Sequence, residues 1–429
     1  MRFTGVSATA AVFGALAPIW AAASTITVAV SLTATALIVP GTATPDPATV
    51  PNYMENAIDY YISPTTESCA LECIPAPVPY IAQFWPFPWE GWGGLTGAKF
   101  DVSVASGIAQ LTSDLVGTFN PSATNPVVIF GYSQGATVAT HEKGQLSQLS
   151  AEDQAAIDFV LIGNPNRPNG GLFERLAMFG TVPILDATMG VPTPTDTAMS
   201  TVDVAFQYDG VADFPLYPIN LLADLNAVAG FWYTHGSYLS PDGGNLGELP
   251  NGLTPAELAA AIADPANQQV TSGSDTTYVL VPTANLPLLQ PLRDFGKATG
   301  TEFLTTALID LIQPALRVLI ETGYDRSLPY ATPAPFRLIP MVNPIAVVVD
   351  LVHAVGEGIR AAINDLSGAS APTAATVRTV DAARPMAAAP ERAVSASARS
   401  AHGGSAGSRP ARKSGAGRAA AVAAPRSNR

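Results

Sequence analysis

A serine flanked by two glycines is the first feature of this sequence that could do chemistry. Ser133 lies in GYSQG, residues 131–135, directly after the apolar run PVVIF and before the helical pattern ATVATHEKGQL. A nucleophilic serine needs this context, because the glycines permit a sharp strand-to-helix turn and the helix N-terminus offers N–H groups to an oxyanion. A second match, GGSAG around Ser405, has no strand before it and lies in an Arg-rich tail. We therefore assign the nucleophile to Ser133.

Four histidines compete to be the base that a serine nucleophile requires. His141 lies eight residues further along the same predicted helix, about 12 Å from the serine and out of reach. His402 falls in the C-terminal tail, and His353 fits a helix-packing position. His235 follows the aromatic run FWYT and opens the segment HGSY, which reads as a loop. We predict His235 as the base.

The acid that orients the histidine should follow a strand between Ser133 and His235. The segment VAFQYDGVADFP offers two aspartates there, Asp209 and Asp213. Asp209 sits in an Asp-Gly turn, which turn geometry alone can explain. Asp213 lies further into the loop and is freer to reach an imidazole, so we predict it as the acid and keep Asp209 as the alternative. The remaining candidates are Asp196, Asp203 and Asp224.

An oxyanion hole requires two N–H groups near the nucleophile. One should belong to Gln134, the residue after the serine. The other should come from the loop PGTATP after the first predicted strand, where position favours Thr42; a plain turn is the alternative for this loop.

Strands that alternate with helical segments must position these side chains. Apolar runs such as ALIV, PVVIF and FVLIG recur between helical patterns, which predicts an α/β fold with a central, mainly parallel sheet flanked by helices. Residues 286–366 read as mostly helical, with one apolar helix broken at Pro314. These C-terminal helices either cover the core or form a lid.

The two cysteines lie close together, as Cys69 and Cys73 in ESCALECIP. In an exported chain such a pair predicts a disulfide that closes a small loop, with two free thiols as the alternative. With one cysteine pair and four histidines, we predict no metal site, and no cofactor is predicted either.

The two ends of the chain differ in composition from its body. Residues 1–23 have one early positive charge, an apolar run and small residues up to Ala23, which predicts a secretory signal peptide. An uncleaved anchor or an alanine-rich helix are the alternatives. From residue 367 onward, ten Lys/Arg and two acids give +8, and low aliphatic content predicts disorder. This tail is either a solvated extension or a binder of anionic lipid or wall polymers.

The rest of the chain is acidic. Residues 1–366 carry 11 basic and 32 acidic residues, a net charge of −21, which disfavours nucleic acid as a partner. We therefore predict no nucleic-acid partner. The signal-like first residues predict an exported or envelope-associated location, with membrane or cell-wall association as a further expectation, and the oligomeric state is open.

Five segments in order resemble the PE-PPE domain of mycobacteria, a cutinase-like serine α/β-hydrolase family. They are GYSQGATVAT, FVLIGNPNRPNGGLFERL, YDGVADFPLYPINLLADLNAVAG, YTHGSYL and LPLLQPLR. The resemblance covers roughly residues 36–330 and implies an α/β-hydrolase fold and a serine esterase or acyltransferase acting on lipid-like acyl esters. By this resemblance, Ser133 is the nucleophile, His235 is the base and an aspartate of YDGVADFP is the acid.

Two departures from the family pattern qualify what the resemblance implies. The PE or PPE module that names the family is not seen before the hydrolase-like residues 24–366, and the loop VPGTATP replaces a Gly-Gly-Thr pattern. Relatives without the module resemble enzymes that move acyl chains between trehalose glycolipids, so acyl transfer stands beside hydrolysis as an expectation. A third expectation is a catalytically inert cell-wall binding module.

Overall fold

The central sheet is built from the short apolar runs of the sequence. The computed structural model describes residues 33–69, 73–241 and 249–368. The strands of this part are β1 (Ala34–Val39), β2 (Cys73–Pro77), β3 (Val127–Tyr132), β4 (Ile157–Ile162), β5 (Thr181–Val182), β6 (Ala187–Thr188), β7 (Thr201–Phe206), β8 (Gln268–Val270) and β9 (Thr276–Val281). Seven of them form one sheet in the order β2-β1-β3-β4-β7-β9-β8, and β5 pairs with β6 separately. All neighbours in the large sheet are parallel except β8 and β9.

Helices cover both faces of this sheet. They are α1 (Tyr53–Ala57), α2 (Phe100–Asp114), α3 (Gln134–Leu146), α4 (Ala151–Gln154), α5 (Leu172–Arg175), α6 (Leu221–Tyr233), α7 (Pro255–Ala263), α8 (Gln290–Thr299), α9 (Glu302–Glu321) and α10 (Pro344–Ser367). This arrangement confirms the predicted α/β-hydrolase architecture. The edge strands β2 and β8 and the strand β9 are elements that the sequence pattern did not single out.

Strand β3 shows why the sheet is buried on both sides. Val128 and Phe130 pack into one core with α1 and α7, whereas Val127 and Ile129 pack into the other with α2 and α3. A parallel strand covered by helices on each face has no solvent side, so its sequence is a continuous apolar run. The run therefore places the end of β3, and the serine after it, at the carboxyl edge of the sheet.

The C-terminal helices are confirmed, with one correction. We expected a break at Pro314, but α9 continues through it. A proline removes the N–H that would bond to the carbonyl four residues earlier, here that of Asp310. Gly358 of α10 packs against this stretch of α9, and a Cβ placed on it would lie 2.1 Å from the Leu311 carbonyl oxygen. The continuous helix α9 is therefore in close contact with α10 at the turn before Pro314.

Several predicted features lie outside the described residues. They are the signal peptide at residues 1–23, nearly all of the basic tail, and the excluded Ser405 and His402. Within the described ranges, α9 is the helix whose length and apolar composition would suffice to cross a bilayer, a test that helices packed inside folded domains also pass.

Candidate active site

Ser133 sits at a sharp turn between β3 and α3. Its backbone has φ 55° and ψ −117°, a conformation that non-glycine residues rarely adopt and that marks functional turns. The glycines on either side allow close packing: a Cβ on Gly131 would lie 2.8 Å from Ala136 Cα, and one on Gly135 would lie 2.2 Å from the Val39 carbonyl oxygen. The turn thus presses the start of α3 against β1 and holds the serine side chain at the sheet edge.

His235 lies beside this serine. Its Nε2 atom is 2.9 Å from Ser133 Oγ, and the residue is 6% exposed. It belongs to a 3₁₀ turn, His235–Ser237, that follows helix α6 directly rather than a strand end as the sequence pattern suggested. The ring of Phe231 on α6 stacks on the imidazole at a centroid distance of 6.0 Å, and the Tyr132 hydroxyl donates to the His235 carbonyl oxygen. The stacking contact orients the ring, and the hydrogen bond holds the backbone that carries it.

Asp209 is the carboxylate that meets the histidine. Its two oxygens each lie 3.0 Å from His235 Nδ1, and its side chain is fully buried. It also accepts hydrogen bonds from the Val211 N–H and from the Tyr238 hydroxyl, both at 2.8 Å. Burial and the nearby Asp209 charge raise the pKa of Tyr238 well above its usual range, so the phenol stays protonated and donates.

The structure corrects our preference for Asp213. That side chain forms an ion pair with Arg326, at 2.5 Å and 3.0 Å, whereas the carboxylate bonded to His235 is that of Asp209. It also accepts from the Tyr208 N–H at 2.9 Å. The Asp-Gly turn that we took as a structural explanation for Asp209 is what brings its carboxylate to the imidazole, whereas the loop proper faces the segment after α9.

The other acids and histidines have different surroundings. Asp203 pairs with the buried Arg167 at 2.7 Å. His141 lies on α3, where burial lowers its pKa, and His353 is exposed on α10. Asp196 lies before β7, and Asp224 lies in the first turn of α6. In the part of the chain that the structure describes, none of these five residues forms a hydrogen bond with Ser133 or His235.

Two backbone N–H groups near Ser133 are available to an oxyanion. Gln134 is the first residue of α3, so its N–H has no partner within the helix. In the loop after β1, the N–H groups of Gly41, Ala43 and Thr44 donate to the Tyr53 hydroxyl, the Ala82 carbonyl and the Gly41 carbonyl. Among residues 41–44, the Thr42 N–H is the one without an acceptor within the described ranges.

This loop lies against the nucleophile. A Cβ on Gly41 would lie 3.3 Å from Ser133 Cβ. The side chain of Gln134 is tied down in the same region, because it accepts from the Ser103 hydroxyl at 2.9 Å and donates to the Gln83 carbonyl at 3.0 Å. The geometry is therefore compatible with both predicted oxyanion donors.

An aromatic cluster adjoins the histidine. Trp89 and Trp92, from the loop before α2, contact Phe231 at centroid distances of 6.1 Å and 6.4 Å, and Trp89 also contacts Trp232 at 4.9 Å. Since Phe231 stacks on His235, the cluster places an apolar wall beside the reacting groups. The sequence shows these aromatic residues, but it does not show that the loop before α2 and helix α6 contact each other.

Several other functional neighbours were also missed from sequence. Tyr132 donates a hydrogen bond to His235 across 103 positions, and Tyr238 donates one to Asp209 across 29 positions. Gly163, with φ 53°, leaves room for the imidazole, because a Cβ there would lie 2.9 Å from His235 Cε1. A tyrosine directly before the serine, or three residues after the histidine, carries no signal of its own.

Cys69 and Cys73 are bonded to each other in the structure, at the start of β2 and remote in sequence from the serine. Within the described residues, no group of three or more His, Cys, Asp or Glu side chains could hold a metal ion.

Comparison with known proteins places the chain among mycobacterial sequences. The PE-PPE domain model matches residues 72–325. An uncharacterized PPE family protein, PPE42, of Mycobacterium tuberculosis (strain CDC 1551 / Oshkosh) is 40% identical over 66% of this chain and 44% of its own length. Esterase PE16 of Mycobacterium tuberculosis (strain ATCC 25618 / H37Rv) is 39% identical over 75% of this chain and 54% of its own.

A third relative, Diacyltrehalose acyltransferase Chp2 of the same H37Rv strain, is 30% identical over 48% of this chain and 52% of its own length. The chain thus spans about half the length of the curated relatives it matches. Among solved structures, a cutinase-like protein from Cryptococcus sp. is similar with a TM-score of 0.26 and 19% identity, over 42% of this chain and 79% of that one. The match to the domain model covers more than half of the sequence, and the chain belongs to the PE-PPE domain family.

Proposed function

We propose that this protein is a serine esterase that cleaves acyl esters through Ser133, His235 and Asp209. The observation that carries the proposal is the unbroken line of hydrogen bonds from Ser133 Oγ to His235 Nε2 and from His235 Nδ1 to Asp209. Serine, histidine and acid in this arrangement form the acyl-transfer triad on several unrelated folds. The name of the related Esterase PE16 supports the same chemistry.

In the first half of the reaction, Ser133 Oγ attacks the ester carbonyl carbon while His235 Nε2 takes the hydroxyl proton. Asp209 holds the ring by its Nδ1–H and stabilises the imidazolium that forms. The carbonyl oxygen gains negative charge and accepts hydrogen bonds from the N–H groups of Gln134 and Thr42. Collapse of the tetrahedral intermediate breaks the bond to the alcohol, which leaves with the proton from Nε2.

In the second half, an acceptor hydroxyl attacks the acyl-serine ester. His235 removes its proton, the intermediate collapses, and the proton returns to Ser133 Oγ. If the acceptor is water, the product is a free acid. If the acceptor is an alcohol, the product is a new ester and the reaction is acyl transfer.

Acyl transfer is the second candidate function. The aromatic cluster of Trp89, Trp92, Phe231 and Trp232 forms an apolar wall beside the imidazole, a surface that suits a lipid-like acceptor. The same wall suits an apolar acyl chain. The name of the related diacyltrehalose acyltransferase supports a sugar hydroxyl as acceptor.

The Ser133→Ala substitution tests the common core of both proposals. We expect it to lower kcat for a short-chain p-nitrophenyl ester by about 10³-fold or more, because the nucleophile is lost. The matched control is Ser147→Ala at the end of the same helix, whose hydroxyl bonds the Gly144 carbonyl; it should retain wild-type turnover. Equal turnover in the wild type and Ser133→Ala would disprove the assignment.

A fluorophosphonate probe separates an enzyme from an inert wall-binding module. Labelling of the wild type that disappears in Ser133→Ala supports an activated serine, and an unlabelled wild type supports the binding module. Incubation with an acylated trehalose then distinguishes the two reactions: free fatty acid indicates hydrolysis, and a more highly acylated sugar indicates transfer.

We also propose an exported or envelope-associated location, supported by the signal-like composition of residues 1–23. The mass of the protein recovered from the envelope or the medium checks this, since cleavage after Ala23 and retention of the segment give different masses. Recovery from the cytosol alone would contradict it.

A further inference from the structure

Helix α10 turns its large side chains outward. Six valines and isoleucines on this helix are between 46% and 75% exposed: Ile345, Val348, Val352, Val355, Ile359 and Ile363. At 3.6 residues per turn, they fall within an arc of about 80° and so form one continuous apolar face. A surface helix of a globular domain ordinarily directs such a stripe into the core.

Small residues make the contact with the domain instead. Ala354, Gly358 and Ala362 are the buried positions of α10, and Gly358 packs directly against the backbone of α9. The charged side chains occupy a third face, which includes Asp350, Glu357 and Arg360 and leaves the aliphatic face free of charge. The exposed apolar surface is therefore a defined side of an ordered helix.

The apolar surface extends beyond the helix N-terminus. Leu338, Ile339 and Met341, in the loop before α10, are each more than three-quarters exposed. The Asn343 side chain caps the helix by accepting from the Ile345 and Ala346 N–H groups, so the loop and the helix join at a fixed point. A contiguous exposed apolar patch of this kind marks an interaction surface.

The composition of the surface favours lipid over protein. Protein interfaces concentrate their binding energy in tryptophan, tyrosine and arginine, and the face of α10 holds valine and isoleucine. A convex row of aliphatic side chains fits between acyl chains, as the apolar face of an interfacial helix does.

The chain that continues from α10 supplies matching charge. The helix ends at Ser367, and the sequence from residue 369 to 429 holds ten Lys/Arg and two acids, a net +8. It contains no Leu, Ile, Phe, Trp or Tyr, so it offers little apolar surface with which to cover α10 itself. An apolar helix face followed in sequence by basic residues is a combination that binds anionic membranes, since stable attachment takes two signals.

We propose that the aliphatic face of α10, with residues 338–342, inserts into an anionic lipid surface to which the basic residues after Gly368 are attracted. This inference goes beyond the proposed function and does not depend on it, because it concerns attachment rather than catalysis. All tests therefore use the full chain carrying Ser133→Ala, which cannot alter the lipid through that serine.

Flotation with vesicles measures binding. The chain should float with phosphatidylglycerol mixed into phosphatidylcholine more strongly than with phosphatidylcholine alone, and added salt should reduce the difference. Val348→Ser, Val352→Ser and Ile359→Ser together should weaken binding by about tenfold or more. The matched control changes three exposed aliphatic residues elsewhere, Val102, Val116 and Leu149, to serine and should bind like the parent.

Two cysteine substitutions report which face of α10 enters the lipid. The native cysteines are bonded to each other, so Val352→Cys or Glu357→Cys can carry a single environment-sensitive fluorophore. A blue shift with vesicles is expected at position 352 and not at 357, because the two lie about 140° apart around the helix. Equal responses would show attachment through the tail alone and overturn the proposal.

Solution mass separates lipid from a second copy of the chain. If the parent chain carrying Ser133→Ala does not float but is a dimer, and the triple serine variant is a monomer, then α10 is a dimer interface and the proposal is overturned. Unchanged flotation of the triple variant would overturn it equally.

Discussion

Asp209 and Asp213 lie on one loop, yet each has a partner from a different part of the chain. Asp209 meets His235, which follows α6, and Asp213 meets Arg326, which follows α9. The sequence shows that both aspartates lie in a loop, but it does not show which distant cation or imidazole each one contacts. This is why the pair could be predicted from sequence and the choice between them could not.

Asparagine substitutions separate the two roles. In Asp209→Asn the amide can no longer hold the productive tautomer of His235, so kcat should fall by about 10⁴-fold with little change in fold. Turnover of a p-nitrophenyl ester measures this effect.

Asp213→Asn should affect stability rather than turnover. It leaves Arg326 without its closest anion, so unfolding free energy should fall by about 3 kcal/mol, at the low end for a broken buried pair because Glu321 also contacts Arg326. The folded fraction should keep most of its kcat. A large loss of kcat in Asp213→Asn, with Asp209→Asn active, would restore Asp213 as the acid.

Helix α3 contains two glycines in different surroundings. Substituting each of them tests how the packing of this helix positions Ser133. A Cβ on Gly135 would overlap the carbonyl oxygens of Val39 and Pro40, at 2.2 Å and 2.5 Å. A Cβ on Gly144, in the last turns of the same helix, would have no atom within 4 Å. The sequence motif distinguishes the first glycine, and the packing explains why.

We expect Gly135→Ala to lower the free energy of unfolding and Gly144→Ala to raise it. The first should force α3 away from β1, lowering stability by about 1–3 kcal/mol as overpacked sites do and displacing Ser133 enough to reduce kcat. The second should raise stability by about 0.5–1 kcal/mol, because alanine favours the helical state. Chemical denaturation and esterase turnover of both variants measure these effects, and equal stabilities would refute the packing argument.

Element prediction from sequence succeeded where local pattern decides the outcome. The run PVVIF and the helix after it are recognisable because burial on both sheet faces and helical periodicity both leave a mark on the residues themselves. The break expected at Pro314 is absent, and Gly358 of α10, 44 positions away, packs against the Asp310 and Leu311 carbonyl groups beside it. The local pattern around Pro314 does not show this contact.

At the scale of the whole molecule, one buried acid links folding to pH. Glu174 on α5 is 2% exposed, and its Oε1 has no hydrogen-bond partner among the described residues. Burial raises its pKa from 4.5 to about 7, against the smaller opposing effect of Arg175. Because the folded state holds this proton more tightly than the unfolded state, stability is fully present at low pH and is lost as pH rises from about 4.5 to about 7.

Glu174→Gln should reduce that loss. Between about pH 5 and pH 8, the wild type should lose on the order of 2 kcal/mol of unfolding free energy through this group, and the variant should lose correspondingly less. Urea denaturation at both pH values measures the difference, with the exposed Glu152→Gln as control. Parallel pH dependences in the wild type and Glu174→Gln would contradict the assignment.

The parallel strands also decide on which side a tether would enter. Ser133 and Asp209 follow the carboxyl ends of β3 and β7, while the described chain begins at Thr33, at the amino end of β1. β1 pairs in parallel with β3, so the entry point and the catalytic edge lie on opposite rims, about 20 Å apart for six extended residues. The chain therefore enters the sheet at the rim opposite the one that carries its reacting side chains.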